Sequence, residues 1–439
     1  MKCPWVTESS GSLVVRTSAG RDGRSARVGD AARAAVAVLI LLAAASRGEA
    51  AAPAPLLAPD HPVNWWFVFK FNAAIFPSCD DGELRQCVFG GKVQQYQFGQ
   101  QFVYASSDNA QLQKGSGCVG ANIRDPLGAT VEQIYAGSFH YVIWNDQFYD
   151  DPEIAGCTKS CSSPWGHSKG MLAWDDTGAG VVLQVTTPSW PAAGNKSHPR
   201  KSDGNTLGCV TDDNVKVSQH FFALRLTKED VIAVLAALQN ASVVTDLTDP
   251  QIVSNGGPPE VEHEVRMLGK KSKSQKVYDA TLSSGVRLIG KPSALHVPPW
   301  QLVSSFLDGT ALRTATWWAP PRIPTTTGAT RIACWDPKLS DAGAVEIATS
   351  GQWDGNSFSL RGGPTADNNH AKIGVSVSSQ DGYAIFGDLN QQGVLSDSDC
   401  GRSQNGRGGL FFVIKDPALS ASVGELIKGT TAPKTLGPQ

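Results

Sequence analysis

Apolar residues fall in short runs divided by glycine, proline and small polar residues, the pattern of sheet strands and not of a helical bundle. Val63-Asn64-Trp65-Trp66-Phe67-Val68-Phe69-Lys70-Phe71 is aromatic and β-branched and predicts a buried strand. Further strands are predicted at 95–104, 140–144, 181–185 and 214–226. Thr227-Lys228-Glu229-Asp230 has the form of a capping box and predicts a helix start, with Val231, Ile232, Val234, Leu235 and Leu238 on its apolar face. Residues 247–264 are rich in turn formers and are expected to join two halves. Beyond them the spacing predicts an extended segment at 277–289, helices at 298–307 and 417–428, and strands at 314–319, 329–335, 383–386 and 410–414. The expected organisation is a first lobe at 61–246, an inter-lobe linker at 247–276, a second lobe at 277–428 and a flexible tail at 429–439.

One short motif recurs inside this pattern. Trp165-Gly166-His167-Ser168-Lys169-Gly170 enters one apolar run, and Asn369-His370-Ala371-Lys372-Ile373-Gly374 enters another 203 residues later. Alternate side chains on a strand share a face, so the His and Lys of each triplet point one way and Ser168 or Ala371 the other. An imidazole beside an ammonium, presented twice, suits a phosphodiester: two candidates for nucleophile and proton donor, and two cations for phosphate oxygens. With eight histidines, and lysine at about one residue in twenty, chance supplies about 0.4 such triplets. His167, Lys169, His370 and Lys372 are therefore the candidate catalytic residues.

Composition places this chemistry in an exported, acid setting. Residues 1–50 run from an Arg-rich stretch through apolar Ala34–Ala45 to Gly48-Glu49-Ala50, a signal peptide with an extended n-region. A Pro/Ala-rich lead-in follows at 51–60, and no membrane span is expected once the leader is removed. The remainder carries 31 basic against 36 acidic side chains, net −5, and +3 with all eight histidines protonated. A polyanion is thus repelled at neutral pH and attracted in acid. Cys79, Cys87, Cys118, Cys157, Cys161, Cys209, Cys334 and Cys400 remain after the leader, an even set that implies disulfides. Cys157-x3-Cys161 has no second Cys/His pair of matching spacing, which disfavours zinc. Asn195-Lys196-Ser197 and Asn240-Ala241-Ser242 are glycosylation sequons.

Several further stretches carry two readings each. Asn145-Asp146-Gln147 ends a strand, where sites gather or a plain turn forms. Asp175, six residues past Lys169, either orients an imidazole or opens a hairpin at 176–180. Lys270, Lys271, Lys273 and Lys276 either touch phosphates or line a solvated loop. Gly115–Gly120 spells a dinucleotide fingerprint, but no strand before it or helix after it is predicted. The stretch from Asp388 through Asn390 and Gln392 to Asp399 imitates a calcium loop, yet ends in Asp and sits between predicted strands. No metal and no cofactor are expected.

These motifs together resemble the deoxyribonuclease II family. The resemblance is carried, in order, by Val63–Lys70, Tyr141–Gln147, Gly166–Gly170 with Asp175, Pro188–Pro191, Thr206–Val210, His370–Lys372, Gly387-Asp388-Leu389-Asn390, and Ser403-Gln404 with Arg407-Gly408-Gly409. It implies a mixed α/β, phospholipase D-like pseudo-dimer, two similar sheet-and-helix lobes sharing one central cleft. It implies a lysosomal or secreted endonuclease that cleaves DNA in acid without a metal, through a phosphohistidine, and leaves 3′-phosphate ends. Asn390 and Gln404 would then donate to phosphoryl oxygens, with Asp175, Asn145 and Arg407 in support. DNA is the partner so implied, and no stable protein partner is. Departures from the family pattern are Ala371 after the second histidine, Ser189 where asparagine is common, Leu410 in place of a third glycine, and a longer loop between Asn390 and Arg407. Two other readings share the residues: a diesterase of the same fold acting on lipid or another diester, and an exported nucleic-acid-binding protein without catalysis.

Overall fold

The computed structural model describes residues 52–77, 101–120, 123–147, 161–188 and 216–436. The predicted leader, Cys79, Cys87, Cys157, Cys209, the Asn195 sequon, Ser189 and the 206–210 motif lie outside the described residues.

Two large sheets dominate. The first contains β1 (Trp65–Lys70), β2 (Phe102–Ser106), β3 (Asn109–Lys114), β4 (His140–Asn145), β5 (Lys169–Trp174), β6 (Gly180–Val185), β7 (Gln219–Leu226) and β8 (Val253–Ser254). Their order across the sheet is β8-β4-β5-β6-β7-β1-β2-β3. The second contains β9 (Tyr278–Thr281), β10 (Arg287–Lys291), β11 (Leu312–Ala315), β12 (Val345–Ile347), β13 (Ile373–Ser376), β14 (Tyr383–Gly387) and β15 (Gly409–Lys415), ordered β9-β10-β15-β14-β13-β11-β12. Five strands run in corresponding order: β4-β5-β6-β7-β1 in the first sheet and β11-β13-β14-β15-β10 in the second, with antiparallel neighbours throughout. Helices recur with them. α1 (Pro126–Ala136) precedes β4 and α2 (Lys228–Ala241) follows β7, α3 (Pro259–Met267) lies between the sheets in sequence, α4 (Pro299–Phe306) precedes β11, and α5 (Pro417–Leu426) follows β15.

The side-chain period of two explains how the sheets are layered. On β14, Ala384 and Phe386 face the first sheet's core while Ile385 faces a second core; on β15, Phe412 and Ile414 face the first and Phe411 and Val413 the second. Phe386 stacks on Phe67 of β1 at 4.4 Å and on Phe222 of β7 at 4.8 Å. Trp300 of α4 meets Phe411 edge-on at 5.3 Å on the opposite face. The second sheet is therefore buried between the first sheet and α4, which explains why its strands read as continuous apolar runs. The capping box forms as predicted: the Thr227 side chain accepts from the Asp230 N–H, and the Asp230 carboxylate accepts from the Thr227 N–H.

Other expectations change. Residues 329–335 form turns and loop, not a strand, and Cys334 there is disulfide-bonded to Cys400, with a Cα separation of 5.3 Å. Cys118 and Cys161 are also in disulfides. The 277–289 segment is a hairpin of β9 and β10 turning at Gly285, where φ is +82°. Residues 247–264 are more than turn: β8 extends the edge of the first sheet, pairing with β4, and α3 begins at Pro259. The Gly115–Gly120 stretch does follow a strand, β3, and precede a helix, α1. The first-turn N–H groups of that helix already donate to Asp125, as does Gly120, so a carboxylate occupies the place a phosphate would need. α1 has no counterpart among the predicted elements, and no described helix is long and apolar enough to cross a membrane.

Candidate active site

Both His-x-Lys triplets sit at the starts of corresponding strands. His167 and Ser168 precede β5, and Lys169 is its first residue; His370, Ala371 and Lys372 precede β13. All four candidate catalytic side chains are buried, with His167 7% and His370 6% exposed. The middle residues diverge: the Ser168 hydroxyl accepts from Trp144 Nε1 at 2.8 Å and bonds the Asp388 carboxyl, whereas Ala371 is packed in the apolar core.

Each imidazole is held through Nδ1 by a backbone carbonyl. His167 Nδ1 lies 2.9 Å from the Asp388 carbonyl oxygen, and His370 Nδ1 lies 2.6 Å from that of Thr186. A carbonyl only accepts, so Nδ1 carries hydrogen in both rings and Nε2 carries the lone pair when the ring is neutral. Gln219 Oε1 stands 3.2 Å from His370 Nδ1, and Trp317 meets that ring edge-on at 4.9 Å. The backbone N–H of His167 donates to the Gly408 carbonyl at 2.8 Å, and that of His370 to the Ser218 carbonyl at 2.7 Å.

The lysines have different surroundings. Lys169 Nζ lies 2.5 Å from Asp146 Oδ1. Asp146 Oδ2 is taken by the Arg407 guanidinium at 2.8 Å, which also donates to the carbonyls of Trp165 and Gly166. Lys372 Nζ donates to the carbonyl of His370 at 2.7 Å and stands beside that ring, 3.2 Å from Nδ1 and 3.4 Å from Nε2. The Lys372 N–H donates to Nδ1 of His220, a ring buried beside the stacked Phe67 and Phe386.

Burial and charge set the proton affinities. Burial would raise the Asp146 carboxyl, but Lys169, His167 and Arg407 hold it well below the usual range. His167 is pushed well below the ordinary imidazole value by burial, opposed by Asp146 and reinforced by Lys169, Arg407 and Lys372. His370 is pushed down by burial, then by Lys372, Lys169 and His167, and the Thr186 carbonyl opposes. Lys372 is lowered by burial and by Lys169, against Asp388 and Asp146. Asp388 is raised to about 7 by burial, despite hydrogen bonds from Leu410 N–H, Ser168 and Gln184. The charges of each triplet thus act on the other.

The remaining sequence-predicted residues are placed as follows. The Asp175 carboxylate accepts from Thr177 N–H and hydroxyl and from Ala179 N–H, closing the β5–β6 hairpin turn. Asn145 is buried at the end of β4, its Oδ1 accepting from Gln147 N–H. Asn390 donates through Nδ2 to Gln392, and its N–H approaches Gln404 Oε1 at 3.4 Å. Of the calcium-like residues, Asp388 accepts from Leu410 N–H and Gln184, and Asp399 from Gly401 N–H. Asn240 of the second sequon donates through Nδ2 to the Lys276 carbonyl at 3.1 Å. Of the lysine cluster, Lys271 lies 5.1 Å from the Trp165 ring. Asp146, Asp388, Gln184 and Gln219 are not among the sequence-predicted site residues. Asp146 stands within the Asn-Asp-Gln triplet that ends β4 and Asp388 within the Gly387–Asn390 motif, and only tertiary contacts mark Gln184 and Gln219.

A family model described as Deoxyribonuclease II matches residues 57–282, just over half of the chain. That span contains the first His-x-Lys triplet and ends before the second. No curated protein matches the chain. The chain belongs to the deoxyribonuclease II family and is a nuclease.

Proposed function

We propose that the protein is a metal-independent acid endonuclease that hydrolyses DNA phosphodiester bonds through a phosphohistidine and leaves 3′-phosphate ends. The observation that carries this reading is the pair of buried imidazoles, each fixed as the Nδ1–H tautomer and each under the charge of the other's lysine. The corresponding strand orders support a pseudo-dimer whose lobes, 61–246 and 277–428 joined by 247–276, each supply one triplet to a common cleft. Disulfides support passage through the secretory route to a lysosomal or extracellular site.

In this reading a neutral imidazole attacks phosphorus through Nε2, and the Nε2–H of the other, protonated ring donates to the departing 5′ oxygen. Phosphorus stays bonded to the 3′ oxygen, so the intermediate joins histidine to the 3′ side of the break. The acid, now neutral, takes a proton from water, and the resulting hydroxide displaces histidine as a 3′-phosphate. Asp146 favours a proton on His167, which supports His167 as the acid and His370 as the nucleophile. Lys169 and Lys372 balance the extra charge at phosphorus, and the second N–H of Asn390 Nδ2 reaches a phosphoryl oxygen. The acid requirement follows from burial: a ring whose proton affinity is depressed is protonated only in acid.

Nicking of a supercoiled plasmid by the mature chain, with excess chelator at mildly acid and at neutral pH, tests the reading. Cleavage in acid despite the chelator is expected, and 3′-phosphate ends that block polymerase extension until dephosphorylated. No cleavage in acid by folded protein overturns it and moves the weight to another diester or to binding alone.

A further inference from the structure

Two buried lysines take no part in the chemistry above. Lys70 is the last residue of β1 and Lys291 the last of β10, at corresponding places in the two sheets, and both are inaccessible. Each faces the first residue of the neighbouring strand, Lys70 opposite Gln219 and Lys291 opposite Gly409. Their ammonium groups bond matching carbonyls. Lys70 Nζ donates to Phe71 O at 3.0 Å and Val217 O at 2.8 Å; Lys291 Nζ lies 3.3 Å from Pro292 O and donates to Arg407 O at 2.9 Å. Lys291 also donates to Leu295 O and Asn405 O.

The residue after each of these carbonyls matters most. Val217 is followed by Ser218, whose carbonyl accepts the N–H of His370. Arg407 is followed by Gly408, whose carbonyl accepts the N–H of His167. Each lysine therefore fixes, from one sheet, the strand entry that seats the histidine of the other. Gly408 leaves no slack in the second arm, since a Cβ there would stand 2.2 Å from the Ala241 carbonyl.

We infer that Lys70 and Lys291 are crossed positioning residues, Lys70 placing His370 and Lys291 placing His167. An apolar core could close the same strand ends at less desolvation cost than a buried ammonium. What the ammonium adds is a fan of donors that fixes several carbonyls at once. The inference rests on the two-histidine reading of the site, but its test reads ring placement and not turnover.

The test uses the full mature chain with ring-¹⁵N-labelled histidine, comparing wild type with Lys70→Met and Lys291→Met at mildly acid pH. Burial brings both lysines to about 7, so their donors are intact under that condition. Lys70→Met is expected to move the His370 ring resonances and leave those of His167 in place; Lys291→Met is expected to do the reverse. Plasmid nicking should fall on the order of 10- to 100-fold in kcat in both, with KM little changed, as misplacement of a reacting group predicts. Lys70→Gln and Lys291→Gln, which keep two N–H donors, serve if the Met variants do not fold, and should shift the same rings by less. Folded variants that move the histidine of their own half, both rings together, or neither overturn the inference. A wild type that fails to nick DNA would strike the proposed function while leaving the ring pattern readable.

Discussion

The two His-x-Lys triplets are alike in sequence and unlike in charge. Around His167, Asp146 gathers Lys169 and Arg407, so the ring sits among paired ions. Around His370 the described residues present no such carboxylate: Lys372 turns back on the backbone carbonyl of His370, and a buried His220 supports the Lys372 backbone. Among the described residues, Asp146 thus favours a positive charge on His167, and no carboxylate is seen to do so for His370. A duplicated motif needs asymmetric surroundings to divide an acid from a nucleophile, because identical rings in identical fields would titrate together.

Removing either ring should have the largest effect. His167→Ala and His370→Ala are each expected to lower plasmid nicking by roughly 10³-fold or more. Both should keep the wild-type circular dichroism spectrum and DNA affinity within a few-fold. An alanine variant of either ring that nicks at near wild-type rate would remove that ring from the chemistry.

Asp146→Asn comes next, because it leaves two buried cations without their carboxylate. A loss of about 3–5 kcal/mol in urea unfolding is expected. His167 also loses the charge that supports its proton, so the alkaline limb of the pH–rate profile should move to lower pH. A limb that stays in place would show that Asp146 does not govern the acid.

Asp388→Asn probes the other carboxyl. Asp388 holds its proton up to about 7 in the folded chain, against an ordinary aspartate value of 3.8 that applies once the chain unfolds. Between these values the folded state binds more protons, so this group's contribution is full below 3.8 and is lost as pH rises towards 7. The slope amounts to roughly 4 kcal/mol at most across that window. The variant should unfold with less loss of stability between acid and neutral pH than wild type does. The buried histidines act oppositely, since the unfolded chain takes up protons near 6.5 that the folded rings refuse.

Asp175→Ala should have the smallest effect. Its carboxylate only closes an exposed turn, so a stability loss of about 1 kcal/mol and nicking within about twofold of wild type are expected.

Local patterns carry much of the fold and the reacting residues. The aromatic run at β1, the capping box of α2 and both triplets are legible because each depends on near neighbours in sequence. Asp175 is ambiguous in sequence because a turn-closing carboxylate and an imidazole-orienting one look alike there; in the structure three turn donors meet it. The stretch at 329–335 has strand composition, yet Cys334 ties it to Cys400 and its backbone joins neither sheet. Asp146, Lys70 and Lys291 draw their importance from contacts 23 to 261 residues away, which no local period records.

The division of labour between the two rings is tested most directly by a pH titration of the ¹⁵N ring resonances of His167 and His370 in the free enzyme, assigned with the two alanine variants. Both are expected to titrate below the ordinary imidazole value of about 6.5, with the first proton taken up on His167. Titration of either ring at an ordinary value, or first protonation on His370, would contradict the assignment of acid and nucleophile.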